Sequence, residues 1–259
     1  MTCINCSAEA EGTFCSHCGQ KLEIKRLTWK ESLNDFWARI YGFDGMFPRT
    51  FKDLTLRPGF AATEFIKGNR ARYYGPVGYF FLMITCFLLL LSIIGLSVVD
   101  YMREMQSAIA DQENEAAFNR DIRAMLSDNF KVIAFVFIPI QAFCARYIFF
   151  RKQNLNFLEH SVLPLYLMGH WYWINMVEAL SLRYSGFMFG LSLHWLGMAL
   201  YMGFGYTSFI TSQPKWKTFL KGMGIYSLAF VIMFFVTLVA LLVAVIVDPS
   251  IREALRPAK

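Results

Sequence analysis

The chain has 259 residues, 56% of them hydrophobic and 17% aromatic against only 17% charged, with a mean hydropathy of +0.40. That balance excludes an ordinary soluble domain of this size and points to a mainly α, polytopic transmembrane helical bundle. The formal net charge of +6 does not call for nucleic acid, because Lys and Arg flank membrane spans for topological reasons.

The opening residues MTCINC lack the charged n-region, apolar h-region and cleavage site of a secretory signal, so the N-terminus is expected to stay in the cytoplasm. Thiols there stay reduced. Cys3, Cys6, Cys15 and Cys18 form C-x2-C-x8-C-x2-C, with Gly12 available for the turn between the pairs. This spacing can place four thiolates tetrahedrally around one zinc with no open position, a structural zinc ribbon over residues 1–20. The segment is too short to bury a core, so metal would supply most of its folding free energy. Two disulfides or free thiols are the alternative. His17 lies inside the second pair and is expected to be a surface residue.

Residues 21–75 read as amphipathic juxtamembrane helices. Thr28 and Glu31 can form a capping box. Trp29, Leu33, Phe36, Trp37 and Ile40 then recur at helical spacing as one aromatic stripe for the membrane surface, the bundle or a small soluble core. Arg57-Pro58-Gly59 breaks the chain. Pro58 suits the first turn of a helix towards Lys67, which Gly68 would end. Lys67, Arg70, Arg72, Tyr73 and Tyr74 then form a basic, aromatic collar at the depth of lipid phosphates. It reads as a topology-setting anchor or as a site for an anionic lipid headgroup bound by Arg70, Arg72, Tyr73 and Tyr74.

CINC, GTFCSHCGQ and LRPGFAATEFIKGNRARYYGPVGYFFLM, with Glu159-His160 further on, resemble an uncharacterised family of bacterial membrane proteins (domain of unknown function 3667). The resemblance covers nearly the whole chain and implies architecture rather than activity. In that family a glycine usually follows each cysteine knuckle. Here Gly19 keeps it and Ser7 replaces the first, which implies a slightly strained first knuckle.

The charge-free run from Pro76 to Val99 is followed by apolar runs Phe130 to Phe150, Ser161 to Leu180, Phe187 to Ile210 and Phe219 to Val247, giving about five spans in a bundle over residues 76–247. Lys and Arg concentrate in residues 1–75, around Arg151 and Lys152, and at Lys215, Lys217 and Lys221. The positive-inside bias therefore puts the N-terminus in the cytoplasm of a bacterial inner membrane and the tail, 248–259, outside. The acidic external loop 100–129 carries helical spacing at Tyr101 and Met105 and again at Phe118 and Ile122, predicting two short amphipathic helices.

Polar residues inside spans are costly and usually face the bundle interior. Glu159 and His160 open the third span, His170 and Glu178 lie further along it, and His194 lies on the fourth. They could make a proton path or a second metal site, or neutral histidines hydrogen-bonding between helices with Glu159 facing the cytoplasm. Cys86 and Cys144 read as small apolar residues. No nucleophile triad, catalytic carboxylate pair or phosphate loop stands out, and no inverted repeat. The expected function is a membrane scaffold or interaction protein whose zinc head binds another protein. The alternative is a transporter, channel or intramembrane lipid enzyme using His160, His170, His194 and Glu178.

Overall fold

The computed structural model of the protein describes residues 2–3, 6–9, 11–18, 45–69, 72–107 and 129–247. The helix expected over 28–40, Arg70 of the collar, residues 108–128 of the outer loop and the tail from 248 lie outside the described residues. The chain divides into two compact units, Met1–Gly45 and Met46–Lys259. Residues 46–75 thus belong with the bundle rather than with the rest of the 21–75 stretch.

In the first unit Thr2 and Glu9 pair as an antiparallel bridge, while the Cys3 N–H donates to Ala8 O and the Ser7 N–H to Cys3 O. Gly12, at φ 97, makes the expected turn between the cysteine pairs.

The second unit is helical. Helices α1 (Met46–Leu56) and α2 (Pro58–Ile66) form a hairpin, with Pro58 in the first turn of α2 as expected. Gly68, at φ 100, follows the end of α2, where the Asn69 N–H reaches back to Glu64 O. The spacing of Thr50, Asp53 and Leu54 gives α1 its buried face. The hairpin packs one face into the bundle and leaves Arg49, Lys52, Leu56 and Arg57 exposed. The Thr55 hydroxyl lies 3.0 Å from His170 Nε2, half-way along the longest interior helix.

Helix α3 (Pro76–Ile93) has 18 residues, about 27 Å at the helical rise, and stops short of the expected Val99. The apolar run continues, but Gly95 takes φ 72 and the Leu96 N–H closes on Leu91 O, a left-handed helix stop. Ser97 and Asp100 then cap each other's main chain and open α4 (Val98–Ser107), the first of the two helices expected in the loop. Helix α5 (Phe130–Phe143) contains Pro139 and continues as a π-helical turn, Cys144–Phe149.

Helix α6 (Phe157–Ser185) is longer than the run that predicted it, because an Asn156–Glu159 capping box starts it early and Gly186, at φ 69, ends it late. Gly186 is therefore a helix stop. Helices α7 (Leu191–Phe209) and α8 (Lys215–Val247) complete the bundle.

Pro76–Ile93, Phe130–Phe149 and Lys215–Ala240 are long and apolar enough to cross a membrane. Helix α6 is long enough but more polar, and the packing explains why. It touches α1, α2, α3, α5 and α7, so its hydrogen-bonding residues meet other helices rather than lipid. Helix α3 buries Tyr79, Phe80, Met83, Ile84, Phe87 and Leu91 as one stripe against α6, and Gly169 admits the α3 backbone at Phe80. On α7, Gly203 meets Gly222 of α8, a close helix approach that small residues permit.

Candidate functional site

Each knuckle in the head brings its cysteines to the same point. Cys3 Sγ lies 3.6 Å from Cys18 Sγ and Cys6 Sγ 3.6 Å from Cys15 Sγ, and all four sulfurs lie within 4.8 Å of one another. Those separations are far beyond a sulfur–sulfur bond of about 2.05 Å, so the four cysteines are not joined as disulfides. A tetrahedral ion with metal–sulfur distances of about 2.3 Å would hold its ligands about 3.8 Å apart. The donor set therefore fits a metal ion that takes four thiolates. His17 is exposed and is not part of the cluster. Ser7 has φ 58, the left-handed backbone that glycine adopts without penalty, so the expected strain in the first knuckle falls on that residue.

Of the collar, Tyr73 packs inward, while Lys67 is exposed. Tyr73 is 1% exposed and donates its hydroxyl to Asp53 Oδ2 at 2.7 Å, while Arg57 Nε donates to the other carboxylate oxygen at 2.9 Å. Burial alone would push the Asp53 carboxyl up, but the bonds from Tyr73 and Arg57 outweigh it and hold it below its usual range. Burial and the adjoining carboxylate push the Tyr73 phenol up to about 12. The Arg72 guanidinium sits over the Tyr73 ring, 5.6 Å from its centre. The Tyr74 N–H donates to Thr50 Oγ1 and Tyr74 O accepts from Tyr166.

At the break between α1 and α2 the helix ends leave main-chain groups without helical partners. Helix α7 supplies them: Tyr201 donates to Leu54 O at 2.9 Å, and Ser208 Oγ accepts from the Gly59 N–H at 3.1 Å. A Cβ on residue 59 would overlap the main chain of Gly205 and Phe209 and the Ser208 hydroxyl. The RPG motif thus seats the hairpin on α7.

The polar residues of the spans separate into distinct sites. Glu159 accepts from the Asn156 N–H as a helix cap. His160 is fully buried, and neither ring nitrogen has a hydrogen-bond partner among the described residues. His170 lies between Tyr79, whose hydroxyl is 2.9 Å from Nδ1, and Thr55. The Thr55 hydroxyl donates to Phe51 O, so His170 Nε2 carries the proton and donates to Thr55, while Tyr79 donates to Nδ1.

Glu178 and His194 do meet. His194 Nδ1 lies 3.2 Å from Glu178 Oε2, Tyr101 donates to the same oxygen at 3.0 Å, and the Trp171 indole N–H donates to His194 Nε2 at 2.9 Å. The indole fixes the ring, since Nε2 must accept and Nδ1 must then donate to the carboxylate. No hydrogen bond among the described residues joins this chain to His170. Sequence reading missed Tyr101, Trp171, Tyr79 and Thr55 as partners. The spacing Trp171, Asn175, Glu178, at i, i+4 and i+7, was the available signal for one hydrogen-bonding face of α6.

Residues 44–88 match a family model described as "Protein of unknown function (DUF3667)". No curated protein and no solved structure matches the chain. The match covers the hairpin, the collar and most of α3 rather than nearly the whole chain. The likeness to this family of unknown function falls on the segment that RPG seats on α7 and Tyr73 ties to Asp53.

Proposed function

We propose that this is a bacterial inner-membrane protein of five spans whose cytoplasmic head, built on one structural zinc, docks a protein partner. The observation that carries it is the convergence of Cys3, Cys6, Cys15 and Cys18. Four thiolates fill a tetrahedral ion and leave no position for substrate, so the head acts as a folded surface rather than a catalyst.

Hydrogen bonds at the two ends of the bundle support the five-span reading. Gln153, between α5 and α6, donates to Ser212, between α7 and α8, as two cytoplasmic connections should. Arg183, near the end of α6, donates to Ile94 O at the end of α3, as two outer ends should. Arg72 and Tyr74, with Arg70, anchor the first span at the anionic lipid phosphates.

The scaffold reading is tested by crosslinking in native membranes followed by mass spectrometry, comparing the wild type with Cys15→Ser/Cys18→Ser. A discrete protein partner crosslinked to residues 1–20 in the wild type and lost in the variant is the expected result. An identical crosslink pattern in both overturns it.

A further inference from the structure

A cavity of about 240 Å³ lies in the half of the bundle that contains Glu178, between α4, α5, α6, α7 and α8. Its wall is mostly apolar. Met102, Met105, Met168, Met198 and Met233 contribute to it, and such unbranched thioethers adapt to ligands of irregular shape. At about 30 Å³ per water the space equals roughly eight waters, below the range of about 300–1,000 Å³ usual for drug-sized ligands.

The polar groups at this wall are not equivalent. The protons of Trp171, His194 and Tyr101 are already spent within the chain that ends on Glu178. Asn175 also lines the cavity. It is only 8% exposed, yet its Oδ1 has no hydrogen-bond partner among the described residues. A buried acceptor without a donor is unfavourable, the more so where lipid excludes water. The cavity therefore offers a donor-bearing ligand a buried open acceptor at Asn175, with the hydroxyl-bearing Tyr172 and Tyr226 also on its wall and no Lys or Arg among its lining residues to pair with an anion.

We propose that this cavity binds a small uncharged amphiphile, a short apolar chain or ring ending in a hydroxyl that donates to Asn175 Oδ1. The adjoining Trp171–His194–Glu178–Tyr101 chain acts as a fixed wall, each of its donors already held, so the ligand is oriented by Asn175. This site is independent of the zinc head and goes beyond the scaffold reading.

The test uses the full chain in lipid nanodiscs and 6-bromohexan-1-ol as probe, with 1-bromohexane and 6-bromohexanoate as comparisons. Bromine quenches indole emission on contact, and Trp171 lines the cavity. Bromohexanol should give a saturable quenching component that Trp171→Phe removes. Bromohexane should bind at least about fivefold more weakly, the worth of one neutral hydrogen bond, and Asn175→Leu should weaken bromohexanol by a similar factor. No saturable component, which would leave the cavity to water alone, overturns the proposal. Equal binding of bromohexanol and bromohexane, or preference for the carboxylate, overturns it as well. These comparisons are made on the wild type and decide the matter even if Asn175→Leu does not fold.

Discussion

The Tyr73 hydroxyl and the Asp53 carboxylate meet at 2.7 Å, which ties the segment leading into the first span back onto α1. A hydrogen bond to a buried charged group contributes about 2 kcal/mol, so Tyr73→Phe should lower unfolding stability in micelles by that order. Asp53 titrates below its usual range in the folded protein. Its contribution is therefore complete above about pH 4, its unfolded value, and is lost as pH falls through the folded value. The gap between wild type and Tyr73→Phe should close in that acid window. At the other end, Tyr73 is raised to about 12, so its stabilisation is complete below about pH 10 and fades as pH rises through 12. A gap that stays constant into acid would show that the bond does not depend on the carboxylate.

Gly59→Ala should be far more disruptive than the usual glycine-to-alanine change, which often stabilises a helix. The added methyl would overlap the α7 main chain at Gly205 and Phe209. The hairpin must then move outward and give up the Ser208 and Tyr201 bonds. The expected cost is about 3 kcal/mol, the upper end of the usual range for overpacking. Limited proteolysis between α1 and α3 should become rapid in the variant. Unchanged proteolysis and stability would mean that the hairpin is not seated on α7.

Glu178 and His194 should behave as a unit. In a double-mutant cycle with Glu178→Gln and His194→Ala, the coupling measured by unfolding should be at least about 1 kcal/mol, the range for residues sharing one hydrogen-bond network. Additive effects would contradict the 3.2 Å contact.

What the sequence made legible was local. The cysteine spacing placed four sulfurs together, Pro58 and Gly68 bounded a helix, and apolar runs located α3, α5 and α8. The end of α3 was not seen because Leu96, Val98 and Val99 continue the apolar run past a glycine whose left-handed backbone stops the helix. The Ser97-x-x-Asp100 cap was the local sign of that stop. The partners of His170 and Glu178 were hidden for a different reason. They depend on how neighbouring helices are rotated and on the depth of the α1–α2 hairpin, which the fit of Gly59 against α7 decides. Spacing along one helix carries no information about such a contact.

Reporter fusions should place Gln153 in the cytoplasm and Gln112 and Lys259 outside, as five alternating spans require. A cytoplasmic signal at Lys259 would reduce or raise the number of spans by one and detach the positive-inside argument from α6 and α7.

The metal content of the purified full chain tests the zinc head most directly. Elemental analysis should find about one zinc per chain, and Cys15→Ser/Cys18→Ser should abolish it while leaving membrane insertion intact. A wild type without zinc, or a double-serine variant that keeps it in full, would contradict the proposed head.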